Sequence, residues 1–215
     1  MRTFVKFCGL RTVEEVAEVP AGGAAGFVIG VPASPRNLVG EQATLLIEKL
    51  PPEAEAWAVV VDPTVDQIQR LFGEVGVDRV QVHGKIPEGL EYLERHHLVP
   101  SVPIAPKGGS GELPAIPPPE EYPRLHLDAA GQPLPGGSGV SPDWEVCARL
   151  VDAHPGRKFV LGGGLTPENV GQALAAVRPW GVDVSTGIER SPGVKDLARM
   201  RAFTSAVERF EKGDG

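Results

Sequence analysis

The sequence has 215 residues, of which 41% are hydrophobic and 23% charged, a length that fits a single domain over residues 1–215 with a substantial buried core. A formal net charge of -7, with acidic and basic residues interspersed, argues against a protein that binds nucleic acid or a membrane surface. No apolar run approaches the roughly 18 residues of a membrane helix and no signal-peptide pattern opens the chain, so we expect a cytoplasmic protein.

Eight short apolar runs rich in β-branched residues recur along the chain and predict eight β-strands. These runs cover residues 3–8, 26–30, 57–61, 79–83, 99–104, 124–128, 159–162 and 181–185. Between most of them, apolar residues recur at three- and four-residue spacing, which predicts helices. Alternation of strand and helix implies parallel strands, and eight such units close naturally into a single (β/α)8 barrel. A doubly wound open sheet is the alternative.

The fifth unit breaks this alternation. Residues 103–123 contain seven prolines and show no helical periodicity. Proline removes a backbone donor and disrupts helices, so we expect an extended loop with at most one helical turn in place of the fifth helix.

Polar residues gather at the predicted strand ends, which is where the active sites of such barrels form. The strand-end residues are Cys8, Gln81, His83, Asp128, Gly162, Gly163, Gly164, Asp183, Ser185, Thr186 and Gly187. The last two loops read "LGGGLTPENV" and "DVSTGIERSPGVKD", in which glycines or small hydroxyl residues precede a helix. Backbone N–H groups at such junctions favour a phosphate, although each glycine run alone is also typical of a tight turn.

Cys8 and Cys147 are the two cysteines, too few for a disulfide framework and not in a CxxC pair. Cys147 lies in an amphipathic helical pattern and is expected in the core. Cys8 at a strand end is either a buried structural thiol or a reactive one. Lys6, two residues earlier on the same strand face, is placed to lower the pKa of this thiol, but a buried lysine would need its own partner.

Three further candidates also have two interpretations each. Asp128 caps a turn or supplies a functional carboxyl group. Arg36 is a solvated loop charge or a guanidinium that holds a carboxylate. His83 is a hydrogen-bonded strand-end residue or part of a pocket, whereas His126, two residues before Asp128, is expected in the barrel interior.

The histidines do not show the spacing of a metal site, and no metal or other cofactor is expected. They are His83, His96, His97, His126 and His154.

Six segments, taken in order, resemble the phosphoribosylanthranilate isomerase family over nearly the whole chain. They are "VKFCGLRTVEEV" (5–16), "SPR" (34–36), "VQVHG" (80–84), "LD" (127–128) followed by "PGGSG" (135–139), "GGLTPENV" (163–170) and "VDVSTGIERSPGVKD" (182–196). Three features depart from the family pattern. Val140-Ser141-Pro142 replaces a more polar stretch, and the proline-rich fifth unit replaces a helical segment. The second loop reads "GVPASPR" (30–36) where an aromatic or larger residue often follows the strand.

The resemblance implies a metal-free Amadori rearrangement of N-(5-phosphoribosyl)anthranilate, a step of tryptophan biosynthesis, with Cys8 as general base and Asp128 as general acid. It further implies that Arg36 holds the anthranilate carboxylate and that His83 and Asp183 line the pocket. The same resemblance assigns the substrate phosphate to the backbones of Gly163, Gly164, Ser185, Thr186 and Gly187.

Other functions remain open on sequence alone. An indole-glycerol-phosphate synthase would require a catalytic lysine and glutamate on inner strands, and a ribulose-phosphate epimerase would require a carboxylate and histidine metal cluster. Neither set is evident in the sequence. A phospho-ligand binding module without turnover is an alternative from a different class. The expected partner is a small phosphorylated molecule, with a monomer and a homodimer both open.

Overall fold

Eight parallel strands build the central sheet of the computed structural model, which describes residues 2–109, 111–130 and 140–213. They are β1 (Phe4–Cys8), β2 (Ala24–Ile29), β3 (Glu55–Val61), β4 (Arg79–His83), β5 (Leu98–Ile104), β6 (Arg124–Ala129), β7 (Lys158–Leu161) and β8 (Gly181–Val184). Each strand pairs with the next, and β8 pairs with β1, so the sheet closes on itself. The predicted barrel is confirmed, and the open sheet is excluded.

Helices surround this barrel, and all the described ones except α4 contribute buried residues to the packing. The described helices are α1 (Val13–Ala17), α2 (Gly40–Ile47), α3 (Val65–Arg70), α4 (Tyr92–His97), α5 (Trp144–Ala153), α6 (Val170–Val177) and α7 (Leu197–Lys212), and α3 continues into a π-helical turn at Leu71–Val75. Side chains fix several helix starts, since Thr12 and Thr64 form capping boxes and Asp143 and Asp196 accept from backbone N–H groups. Within the described ranges, every helix falls short of the length and apolarity required to span a membrane.

The proline-rich fifth unit crosses from β5 to β6 without a helix in its described part, as predicted. Arg157 secures this segment, because its guanidinium donates to the carbonyl oxygens of Pro117 at 2.7 Å and Tyr122 at 2.8 Å. An arginine side chain thus supplies donors in a segment where proline offers no N–H.

Two short pairings were not predicted. Residues Asn37–Leu38 run parallel to the end of β2, and Glu189–Ser191 forms a small antiparallel hairpin with Val194–Lys195. Both flank the carboxyl ends of the barrel strands, and together they bring Arg36 next to Glu189.

Aromatic and charged side chains seal the opposite end of the barrel. Phe4 stacks on Trp180 with ring centroids 4.5 Å apart, and the Arg124 guanidinium lies 4.7 Å from the Trp180 ring centroid. Glu55 accepts hydrogen bonds from Trp57 Nε1 and from Arg124. This packing fills the amino-terminal end, so the polar pocket opens at the carboxyl end.

Candidate active site

A pocket at the carboxyl ends of the strands collects nearly all the predicted site residues. Those that line it are Cys8, Arg36, His83, Asp128, Gly163, Gly164, Asp183, Ser185 and Thr186, while Gly187 lies in the next turn. The residues come from separate parts of the chain, and the closed barrel brings them together because all its strands end at one rim.

A layer of buried polar side chains lies beneath this rim. Lys6 and Asp183 are opposite each other in the register of β1 and β8, and Lys6 Nζ lies 2.9 Å from Asp183 Oδ1. Asp183 Oδ2 lies 3.0 Å from His126 Nε2. Burial opposes ionisation of Asp183, but Lys6 and His126 hold the pKa of its carboxyl well below the usual range. Asp183 is therefore the partner that the sequence analysis required for Lys6.

Cys8 ends β1 and is buried at the pocket wall, with 8% of its surface exposed. Burial raises the pKa of its thiol above the ordinary value, and the Asp183 carboxylate acts in the same direction. Lys6 and Lys195 oppose this rise, but burial outweighs them. The expectation that Lys6 lowers the pKa of the Cys8 thiol is thus correct in direction. The effect of burial is larger, so the net pKa of the thiol is raised.

Asp128 lies near the end of β6, and its Oδ1 accepts from the backbone N–H of Ala129 at 2.9 Å. Burial raises the pKa of this carboxyl, although His126 and Lys6 act against the rise. Asp183 and Asp128 are therefore two buried carboxyl groups with opposite tendencies. The site lowers the pKa of the Asp183 carboxyl and raises the pKa of the Asp128 carboxyl.

Arg36 is buried rather than solvated, and its guanidinium already holds a carboxylate of the chain itself. Nε and Nη2 donate to the two oxygens of Glu189 at 2.7 and 2.8 Å. Lys195 Nζ lies 2.8 Å from Glu189 Oε1 and also donates to the Ser185 carbonyl oxygen at 3.1 Å. Within the described residues, no group accepts from Arg36 Nη1, which leaves a donor for an external carboxylate.

Sequence reasoning missed Glu189 and Lys195 as site residues. Both lie inside the quoted segment 182–196, but their burial and their contact with Arg36 arise from the unpredicted hairpin. Glu189 and Lys195 lie in a polar stretch, and their spacing along the sequence gave no sign that their side chains face inward. One signal was available: residues 182–196 match the family pattern as a whole, which marked the segment that contains both residues.

The glycine-rich loop after β7 exposes backbone donors to the pocket. Gly163 and Gly164 adopt positive φ angles of 82° and 63°, which glycine tolerates without strain. Asn169 holds the loop, because its amide donates to the Gly164 carbonyl oxygen and its Oδ1 accepts from Thr166 N–H. In the described part of the chain, the N–H groups of Gly163 and Gly164 meet no protein acceptor. Such an arrangement suits a bound phosphate.

Gly187 packs the loop after β8 against the loop after β7. A Cβ atom at this position would lie 1.9 Å from the Leu165 carbonyl oxygen, a backbone atom that cannot rotate away. The absence of a side chain at Gly187 therefore allows the two loops to pack closely, although Gly187 does not line the pocket itself.

We expect Gly187→Ala to force these loops apart, lowering the free energy of unfolding by about 1–3 kcal/mol and weakening phosphate-ligand binding. Thermal denaturation and a binding titration measure the two effects. Gly171→Ala is the matched control, since Gly171 lies in α6 with no atom within 4 Å of an added Cβ. That control should be neutral or more stable, because alanine favours a helix over glycine. Equal stability of the two variants would show that Gly187 is not needed for close packing of the loops.

Three potential metal ligands also meet in the pocket. One donor atom each from His83, His126 and Asp128 lies within 4.8 Å of the others, and all three residues are buried. Histidine spacing along the sequence could not reveal this cluster, since the ligands come from two strands and meet only in the closed barrel.

The segment "PGGSG" at 135–139, which contributed to the sequence resemblance, lies outside the described residues.

The closed barrel has a buried thiol, a buried carboxyl group and loops suited to phosphate binding at the carboxyl ends of its strands. These features place the protein in the class of (β/α)8-barrel enzymes. A family model described as N-(5'phosphoribosyl)anthranilate (PRA) isomerase matches residues 5–206. The chain belongs to the N-(5'-phosphoribosyl)anthranilate isomerase family, as the sequence resemblance indicated.

Individual relatives agree with this assignment over the whole length. The N-(5'-phosphoribosyl)anthranilate isomerase of Chelativorans sp. (strain BNC1) is 37% identical, covering 96% of this chain and 96% of that protein. A crystal structure of monomers generated from the dimeric phosphoribosylanthranilate isomerase of Thermotoga maritima is 27% identical, with a TM-score of 0.74. The match covers 96% of this chain and 98% of that chain. A phosphoribosyl anthranilate isomerase solved with reduced 1-(o-carboxyphenylamino)-1-deoxyribulose 5-phosphate is 27% identical with a TM-score of 0.72, again covering 96% and 98%.

Proposed function

We propose that this protein isomerises N-(5'-phosphoribosyl)anthranilate to 1-(2-carboxyphenylamino)-1-deoxyribulose 5-phosphate, with Asp128 as general acid and Cys8 as general base. The observation that carries the proposal is that a buried carboxyl and a buried thiol share one pocket, on strands β6 and β1. Around the barrel these strands are separated by β7 and β8, so the two groups approach a ligand from different sides.

The first step opens the furanose ring. Asp128 donates a proton to the ring oxygen as the C1–O bond breaks, and the nitrogen lone pair forms a C1=N iminium. Burial favours the protonated carboxyl that this step uses. The ring oxygen leaves as a neutral hydroxyl, and Asp128 remains as a carboxylate.

The second step transfers the proton of C2. The Cys8 thiolate removes it, and the electrons of the C–H bond form a C1=C2 double bond while the iminium nitrogen becomes neutral. The resulting enolamine becomes the ketone when C1 gains a proton from the thiol and the enol hydroxyl returns one to Asp128. Both groups thereby recover their starting protonation states.

Binding groups in the pocket match the two anionic ends of this substrate. Backbone N–H groups of Gly163 and Gly164, with Ser185 and Thr186 beside them, receive the phosphate, and Gly187 keeps the two loops close together. Arg36 offers Nη1 to the anthranilate carboxylate while Glu189 holds the other side of the guanidinium. His83 lines the pocket, and Asp183 orients the layer below it through Lys6 and His126.

We expect Arg36→Ala to raise KM by about tenfold or more and to lower kcat much less, because a carboxylate contact is made in both ground and transition states. Steady-state kinetics with varied substrate measure both constants. Arg178→Ala is the matched control, since Arg178 forms an exposed ion pair with Asp152 and neither residue lines the pocket. An unchanged KM in Arg36→Ala would show that this guanidinium does not contact the substrate.

A complementation experiment tests the proposed activity in a cell. A bacterial strain that lacks this isomerase should grow without tryptophan when it expresses the protein, and it should not grow with Asp128→Asn expressed to the same level. Growth failure with well-expressed wild-type protein would contradict the proposal and favour a phosphate-binding module without turnover.

A further inference from the structure

Two imidazole rings in the pocket direct a nitrogen toward the same small space. His83 Nε2 lies 2.9 Å from the amide nitrogen of Gln81, and His126 Nδ1 lies 3.3 Å from that same nitrogen. Ser101 Oγ lies 3.3 Å from His83 Nε2 and 3.2 Å from His126 Nδ1. The two ring nitrogens thus share their hydrogen-bond partners.

The hydrogen-bond partners assign the tautomer that each ring adopts when it is neutral. His126 Nε2 lies 3.0 Å from the Asp183 carboxylate, which is an acceptor, so the neutral ring donates from Nε2–H and keeps its lone pair on Nδ1. The Gln81 amide nitrogen only donates, so His83 Nε2 also faces it as an acceptor. Two imidazole lone pairs therefore point at one donor, the Gln81 amide nitrogen. A bound cation in the position of that nitrogen would be held by the same two lone pairs.

Two oxygens can complete this set of donors. The Asp128 carboxylate joins the two histidines within 4.8 Å. Gln81 is 1% exposed, and its Oε1 has no hydrogen-bond partner in the described part of the chain. A buried carbonyl oxygen without a donor is costly, and rotation of the Gln81 amide would turn this oxygen toward the imidazoles.

We propose that His83, His126 and Asp128, with Gln81 Oε1 as a fourth ligand, form a binding site for one divalent transition-metal ion such as Zn²⁺. Two imidazoles and two oxygens suit Zn²⁺ or Co²⁺, whereas Mg²⁺ and Ca²⁺ prefer oxygen ligands alone. Asp183 acts as the outer carboxylate that orients His126, the usual support of a metal-bound imidazole.

Metal binding at this position excludes the proposed catalysis. This consequence rests on the proposed function, because Asp128 cannot deliver a proton to the ring oxygen while its carboxylate holds a metal. The ion would enter through the substrate pocket, which all three ligands line. The site therefore makes the protein an isomerase that Zn²⁺ inhibits and a chelator reactivates.

Co²⁺ alone is the probe, titrated into the full-length protein after dialysis against a chelator. We expect one Co²⁺ per chain, visible ligand-field absorption, and displacement by an equivalent of Zn²⁺.

His126→Asn and His83→Asn should each weaken Co²⁺ binding by about 100-fold or more, since even outer ligand partners contribute about 10–100-fold. His154→Asn is the control, because His154 lies beyond α5 and away from the pocket residues, and it should bind as the wild type does.

The binding titrations test the metal site, and the activity assay tests the proposed function separately. Unchanged Co²⁺ binding by a folded His83→Asn or His126→Asn protein would overturn the site, as would absorption that disappears in Cys8→Ser and so reports a thiolate ligand. Absence of any saturable Co²⁺ binding overturns it as well. If Co²⁺ binds through the two histidines but the protein shows no isomerase activity, the metal site stands and the proposed function fails. If Zn²⁺ binds there without inhibiting an active isomerase, the claimed link to Asp128 is wrong.

Discussion

Asp128→Asn should lower kcat by about 10²–10⁴-fold while the protein keeps its fold and its affinity for a phosphate ligand. An asparagine amide can hydrogen-bond to the furanose oxygen but cannot deliver a proton to it. The effect on kcat is measured from the initial rate at saturating substrate, and ligand affinity is measured by titration with the reduced product analogue. The Asp128 side chain is buried and accepts a hydrogen bond from the Ala129 backbone N–H. The amide oxygen of an asparagine can accept the same hydrogen bond, so this contact with the backbone is retained.

Asp152→Asn is the matched control for this variant. Asp152 pairs with Arg178 on the exposed surface of α5, and the same chemical change there should leave kcat unchanged. A wild-type kcat in Asp128→Asn would remove the general acid from the proposed mechanism. A loss of ligand affinity equal to the loss of kcat would instead indicate that Asp128 serves binding.

Cys8→Ser should lower kcat by at least about 10²-fold, because a serine hydroxyl is far less acidic than a thiol and cannot act as the C2 base. The pH dependence adds a second signature. Burial raises the pKa of the thiol, so the wild-type kcat/KM should rise as pH increases from neutrality toward the thiol pKa. The serine variant should lose this rise.

Cys147→Ala is the matched control for Cys8→Ser, because Cys147 is the other cysteine and lies in the core face of α5. It should lose some stability through its small cavity but keep kcat. Retention of more than about a tenth of the wild-type kcat in Cys8→Ser, a loss below about 1.4 kcal/mol in transition-state stabilisation, would contradict the base assignment.

The fold was predictable because its signals are local. Each barrel strand is a short β-branched run, and the prolines of residues 103–123 forbid a regular helix by their own chemistry. The short pairing at Asn37–Leu38 and the hairpin at Glu189–Lys195 were missed, since two or three residues are too few to show a period. These small elements nevertheless position the charged residues around Arg36.

The sequence could nominate many of the candidate site residues, but it could not predict their contacts. Strand ends identified Cys8, Asp128 and the glycine loops, because every parallel strand of a barrel ends at the same rim. The ion pairs between Lys6 and Asp183 and between Arg36 and Glu189 join residues 177 and 153 positions apart in the chain. No local pattern encodes such contacts, so the pKa of Cys8 and the pairing of Arg36 with Glu189 required the three-dimensional structure.

The most direct test of the central claim is the loss of anthranilate-adduct fluorescence when purified protein is added to N-(5'-phosphoribosyl)anthranilate. We predict rapid, catalytic loss of fluorescence by the wild type, nearly abolished in both Asp128→Asn and Cys8→Ser. Folded wild-type protein that binds the reduced product analogue yet leaves the fluorescence unchanged would contradict the proposed isomerase activity.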